Sequence, residues 1–226
     1  MKKILLFSVI IFTISCASNR HRNFNSNVQP AEINEVLKID LISYISLIET
    51  GNRGFHNDSV SQLAQFALTE TLGTFRGRLR LPAEAVTDSL NRASLEIEID
   101  YIITRAERDR HLRNISVPPF VESFLYENDQ RFGLILVQSG FTRARGNFGG
   151  QVARSVGVGV LTAFLTGSAV IQAPVQASST LYAIIIDNKE KNIAFYRSHT
   201  LQNEPTEQTT IARHFNEIFE SFLERR

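Results

Sequence analysis

Five histidines, His21, His56, His111, His199 and His214, are the side chains best suited to move protons or bind a metal near neutral pH. Their spacing fits no metal-ligand pattern, and none pairs with a cysteine. Ser139 precedes Gly140, but no Gly-x-Ser-x-Gly elbow surrounds it, so nothing local would hold a nucleophile exposed on a strained turn. Gly146 to Gly150 lacks the Lys-Ser/Thr of a phosphate loop, and no Gly-x-Gly-x-x-Gly follows a strand. Glu96, Glu98 and Asp100 could work as paired carboxylates; as a helix face or a strand face they read more simply as solvated charge. Arg143 and Arg145 could orient a loop or hold an anion, and surface is the simpler reading. Arg76, Arg78 and Arg80 alternate with Gly77, Leu79 and Leu81, which suggests a short strand with three guanidiniums on one face. That face is either an anion or acidic-partner site or a charged edge that discourages strand pairing, with the edge preferred. No catalytic residue, cofactor or metal is expected from these patterns.

The residue with the clearest chemistry is Cys16, the single cysteine. Lys2 and Lys3 open the chain, and Ile4 to Ile14 is apolar except for Ser8 and Thr13. A basic start, a short apolar segment and small residues at its end make an export signal, too short for a stable membrane span. Thr13-Ile14-Ser15-Cys16 resembles the lipobox of bacterial lipoproteins, with Thr13 where Leu is usual. That resemblance implies cleavage before Cys16, acylation of its thiol, and a membrane partner through the lipid. The organisation expected is a signal peptide over 1–15, a flexible tether over 16–35, and one α/β domain over 36–226. The tether reading comes from the polar, Asn-rich stretch Ala17 to Glu32.

Removal of residues 1–15 leaves 211 of the 226 residues, enough for one large domain. An apolar fraction of 43% describes a globular body. Without Lys2 and Lys3, 22 basic residues face 23 acidic ones, and this balance gives no electrostatic reason to expect nucleic acid.

The elements expected to position any site are as follows. Ile39 to Ile48 is apolar in both alternating registers, as in a strand covered on both sides. Gly51 to Asn57 breaks it, and Asp58 or Ser59 caps a helix running to about Arg76. Pro82 suits the first residue of a further helix. Over 83–113 a long helix burying Leu90, Ala93, Ile97, Tyr101 and Thr104 competes with a strand at Leu95 to Tyr101, and the helix is preferred. It would carry i, i+4 pairs Glu107/His111 and Asp109/Arg113. Pro118 and Pro119 begin a short helix, Phe120 to Tyr126. Phe132 to Gly140 and Leu181 to Asp187 are strands, and Asn192 to Ser198 returns as a hairpin partner. Ile211, Phe215, Ile218, Phe219 and Phe222 form the stripe of a closing helix.

Between Arg154 and Asp187 lie 32 residues without a charge, most of them in an expected insertion over about 145–178. Gly149, Ala153 and Gly157, then Gly159, Ala163 and Gly167, place small residues every four, so a helix over Ser155 to Ile171 could lie close to a neighbour. It could pack on the domain, form a partner or self-association face, or insert as a hairpin in a membrane. Packing on the domain is preferred. Candidate partner or membrane contacts are Val156, Val158, Val160, Leu161, Phe164 and Leu165.

The order of these elements, closing with a Leu181–Tyr196 hairpin that has Asp187 at its turn, resembles the α/β domains of CsgG-like and TolB-amino-terminal-like lipoproteins. The resemblance implies a mixed sheet packed by several helices, α/β with α+β as the variant, in an envelope protein working without catalysis. The expectation is a lipid-anchored binding or assembly module at the outer membrane, facing the periplasm. Its partner would be a protein or a second copy. The alternative is a pore or secretion-channel subunit that uses residues 145–178.

Overall fold

Strand β3 (Phe132–Arg143) lies between two other strands, and its first ten residues are buried without interruption. A computed structural model describes residues 28–49, 53–82, 92–109, 111–144, 168–170 and 175–223. Cys16, the signal segment, Arg145, the helix expected from Pro82 over 83–91, and the candidate contacts Val156 to Leu165 lie outside them.

Six strands form one mixed sheet in the order β4-β2-β1-β3-β5-β6. Its strands are β1 (Leu37–Ile48), β2 (Arg53–His56), β3, β4 (Ser168–Val170), β5 (Ser178–Asp187) and β6 (Asn192–Leu201). Strands β1 and β3 run parallel, and every other pair is antiparallel. Helix α1 (Asp58–Leu79) and helix α4 (Gln208–Leu223) cover one face; α2 (Arg92–Arg108) and α3 (Pro119–Glu127) cover the other. The fold is α/β, as the double apolar register of β1 requires: Leu41 enters the α1/α4 core while Ile39 and Ile42 enter the α2/α3 core. Phe75, Phe195, Phe215 and Phe219 knit the first core, with ring centroids 5.0 to 5.9 Å apart. Each such pair adds about 0.5–1.5 kcal/mol beyond its burial.

Several local expectations are corrected. Arg76, Arg78 and Arg80 do not form a strand: α1 continues because Leu68, Leu72, Phe75 and Leu79 extend its buried stripe, and that spacing outweighs the alternation. Its N-cap is Asn57, whose side chain accepts from the Val60 amide at 3.0 Å. Residues 53–56 are strand β2, not a simple break. Helix α2 is a helix, but it buries Leu95, Ile99, Ile102, Ile103 and Ala106; Ile97 and Tyr101 are 73% and 42% exposed. It ends at Arg108, with Arg105 pairing Asp109 at 3.0 Å. Ser168–Val170 joins the sheet beside β2, so a helix over Ser155 to Ile171 does not run to its expected end.

Residues 28–35, expected in the flexible stretch, pack on the domain. Val28 and Ile33 are buried in the α1/α4 core. Asn34 accepts from Arg80 Nη1 at 3.1 Å, and Glu32 lies 3.6 Å from Arg131. Arg131 also clasps the fully buried Asp187, with its Nη2 2.8 Å and its Nε 3.1 Å from the carboxylate. The Asp187 carboxylate in turn accepts the amides of Lys189 and Glu190, which shapes the β5–β6 turn. This end of the sheet, where β1 and β3 begin, is therefore fastened to residues 28–36.

Two glycines give opposite expectations. A Cβ on Gly140 would lie 2.2 Å from the Ser178 carbonyl oxygen, which is backbone and cannot step aside. Gly77 is in mid-helix with nothing within 4 Å of its Cβ position. Gly140→Ala should lower the unfolding free energy by roughly 3 kcal/mol, and Gly77→Ala should raise it by up to about 1 kcal/mol. Urea titration of the two variants checks both signs.

Candidate functional site

Ligands of open α/β sheets collect beyond the carboxyl ends of parallel strands, and here those are the ends of β1 and β3. On the α2/α3 face a polar band interrupts the apolar rows there, and Ile48 and Phe141 are buried beyond it with Tyr44 and Val175 packed against them. Register pairs Tyr44 with Ser139, Ser139 with Thr180, and Ser46 with both Phe141 and His56. Strand β2 turns back on β1 and so sets His56 beside Ser46. The Tyr44 and His56 rings stack with centroids 4.1 Å apart, and His56 Nε2 lies 3.0 Å from Asp58 Oδ1.

Among the described residues, Ser46 Oγ and His56 Nδ1 on this face have no hydrogen-bond partner. Ser46 is 1% exposed and Ser139 4%. A buried hydroxyl without a partner is destabilising by about 1–3 kcal/mol, so Ser46 marks a place shaped for something other than stability. Ser139 lies within hydrogen-bonding reach of the Tyr182 hydroxyl and favours its ionised form, but burial dominates and pushes that phenol up to about 12. Burial, Glu96 and Asp58 likewise raise Tyr44. Both phenols stay protonated at neutral pH.

Glu107, at the end of α2, closes the neighbouring edge. It accepts from the Tyr196 hydroxyl and, at 3.1 Å, from Ser198 Oγ. Burial first, then the Glu107 charge, drives Tyr196 far above the ordinary phenol range. Thr180 and Thr200 share a hydrogen bond of 2.9 Å. Hydroxyls, an imidazole and a stacked ring make a surface for hydrogen bonding and stacking on a neutral polar group.

The opposite face holds a different polar chain, fully used internally. Gln138 Nε2 donates to the Pro205 carbonyl at 2.6 Å and to Ser179 Oγ at 3.2 Å, while its Oε1 accepts from Ser43 at 3.4 Å. Ser179 Oγ lies 3.1 Å from His214 Nε2, and His214 Nδ1 lies 3.0 Å from His199 Nδ1. Every member is satisfied when Ser179 donates to His214 Nε2 and His214 donates from Nδ1 to His199. A serine bonded to a histidine has the outline of a nucleophile and base. Ser179 is sealed from solvent, however, and the second nitrogen of His214 is occupied. This chain fixes the start of α4 against the sheet.

The sequence-selected residues are dispersed. Glu98 is a cap: its carboxylate accepts the Phe120 and Val121 amides at 3.0 and 3.1 Å and so holds the start of α3. Asp100 is raised by partial burial. Arg143 Nε donates to the Val175 carbonyl at 2.9 Å. His111 precedes a short 3₁₀ turn, Leu112–Asn114. Sequence reasoning missed the His199–His214 contact, although His214 lies within the stripe Ile211–Phe215–Ile218, a position that marks a core histidine. Among the described residues no three His, Cys, Asp or Glu side chains gather to hold a metal. No family model matches this chain, and no curated protein matches it.

Two measurements follow. Because its hydroxyl lacks a partner among the described residues, Ser46→Ala should leave the urea midpoint unchanged or raise the unfolding free energy by up to about 1 kcal/mol; a loss above that would mean the hydroxyl is bonded. His214 is lowered to about 3, first by burial, then by His199 and Arg213. The unfolded chain, with its imidazole near 6.5, then binds the extra proton between these values. Stability should fall as pH drops through that window, by up to roughly 1.4 kcal/mol per unit from this group. In His214→Gln that part of the slope should disappear between pH 6.5 and 4.5.

Proposed function

We propose that this chain is a lipid-anchored cell-envelope protein, held at the outer membrane and facing the periplasm, that acts as a non-catalytic binding or assembly module. The basic start, apolar run and Ser15-Cys16 junction support the anchor. The observation that carries the binding role is the buried Ser46 hydroxyl, left without a partner among the described residues beside the stacked Tyr44 and His56. Their place in the sheet supports it too. Residues 28–36 join the domain where β1 begins, and the polar face lies where β1 ends. An anchored domain thus presents that face away from its lipid.

The partner fits as a protein segment or glycan presenting neutral hydrogen-bonding groups, since the face offers hydroxyls and a ring instead of paired charge. The 32 uncharged residues before Asp187 favour a second reading, a channel built from 145–178. Within that stretch Ser168–Val170 is sheet edge, which supports packing on the domain.

Protein taken from its own envelope should yield an N-terminal peptide beginning at acylated Cys16, and Cys16→Ser should leave the membrane fraction. An unmodified thiol in the native peptide removes the anchor. For the binding role, a photo-crosslinking side chain at position 200 of the full acylated protein should capture one partner, and Ser139→Leu, which fills the face, should abolish the capture. Unaltered capture, or ion conductance by a purified oligomer, would favour the channel reading instead.

A further inference from the structure

His199 and His214 meet nitrogen to nitrogen: their Nδ1 atoms lie 3.0 Å apart, with the rings edge to face. A single proton fits between two such atoms. The buried side decides which ring carries it. Gln138 must turn its amide nitrogen to the Pro205 carbonyl, 2.6 Å away, and from the same Nε2 it donates to Ser179 Oγ. Among the described residues, the acceptor within reach of the Ser179 proton is His214 Nε2, at 3.1 Å. His214 therefore carries its proton on Nδ1 and donates it to His199 Nδ1. The other proton of the pair sits on His199 Nε2, and His199 is half-buried on β6, the last strand of the sheet. Both ring lone pairs are now engaged, His214 Nε2 by Ser179 and His199 Nδ1 by His214. A further proton can enter only by displacing one of these bonds.

The displaced bonds are those that hold the amino half of α4. His214 ties that half to β5 and β6, and Pro205, just before the helix, is tied to β3. The carboxyl half is held otherwise, by Phe215 and Phe219 among Phe75 and Phe195, and by Arg197 Nη1 donating to the Ile218 carbonyl at 3.1 Å. Strands β3 and β5 bring the neutral Gln138, Ser179 and Leu181 to the pair, and the buried side of α1 is uncharged. The turn before α4 carries Glu204 and Glu207. Burial lowers His199 most; Glu217 on α4 raises it, and Arg197 on β6 and Arg213 on α4 lower it. We infer that the His199–His214 pair is an acid-operated latch, which closes the amino half of α4 on the sheet while neutral and lets it lift, with the sheet intact, when a proton enters. The ligand is the proton itself, and the latch lies within residues 43–214, independent of any anchor. A lifted helix frees both rings to bind protons near their ordinary 6.5, which the closed one refuses, His214 being held at about 3. Opening should therefore grow as pH falls below 6.5, by roughly 25-fold between pH 7 and pH 5 from His214 alone.

Hydrogen exchange of the full chain, read by mass spectrometry and corrected for the intrinsic rate at each pH, reports the opening. Peptides over residues 208–216 should gain that factor between pH 7 and pH 5, while peptides over 134–137 in β3 stay level. In His214→Gln the gain should vanish, because the amide can bond His199 in either protonation state. Were that variant to lose its fold, the native protein still decides. Long-range proton–nitrogen correlation spectra at pH 7 should show the proton of His214 on Nδ1 and that of His199 on Nε2. The reversed pair of tautomers overturns the latch, since His199 Nε2 could then take up a proton and keep its bond to His214. A flat response in α4 overturns it too, as does an undiminished rise in His214→Gln. An equal rise in α4 and β3 is acid unfolding of the whole domain and overturns it as well.

Discussion

Two-sided burial constrains everything else in this molecule. With helices over both faces and strands on both sides, β3 has no wet surface along ten residues, so each polar group it carries must be bonded within the protein or stand as a liability. Gln138 meets the demand completely through Pro205, Ser179 and Ser43. Ser139, the next residue and so on the opposite face, has only the Tyr182 hydroxyl beside it. The alternation of a strand thus separates two roles within one dipeptide. One side chain locks the α4 start onto the sheet; its neighbour joins the polar group of Tyr44, Ser46 and His56.

The same constraint drives chemistry to the sheet's ends. At one end, Asp187, Arg131 and Glu32 fasten the turn between β5 and β6 and the segment leading into β1. Toward the other, Tyr44, Ser46, His56, Ser139, Thr180 and Tyr182 interrupt the apolar rows, with Ile48 and Phe141 buried beyond them. Gly140 sits at this transition because β3 and β5 approach too closely for any Cβ. The two ends are separated by most of the length of α1, whose 22 residues span about 33 Å at 1.5 Å per residue.

Much of the scaffold was legible in the sequence. The runs Ile39 to Ile48, Phe132 to Gly140 and Leu181 to Asp187 read as strands, the first covered on both faces, and the stripe Ile211, Phe215, Ile218 reads as the buried side of a helix. Helix α2 was ambiguous for a physical reason: Ile97 and Tyr101 form a second apolar stripe opposite the buried Leu95, Ile99 and Ile102, and sequence spacing cannot say which of two stripes meets the sheet. Strand β2 has four residues and a glycine, too little for any periodic signal. The candidate site depended on that strand. His56 meets Ser46 only because the chain reverses tightly after β1, and His199 meets His214 only because α4 lies against β6. Neither contact is local, so neither was legible from spacing.

The claim at the centre is that the sheet has a membrane end and a binding end. Since Cys16 is the only cysteine and is consumed by acylation in this account, single cysteines introduced as Gly77→Cys and Phe55→Cys can each carry a spin label on the bilayer-bound protein. Depth-dependent relaxation should place the label at 77 against the headgroups and the label at 55 roughly 30 Å farther from the bilayer, following the helix rise. Equal depths, or a label at 55 nearer the bilayer than the label at 77, would contradict the account.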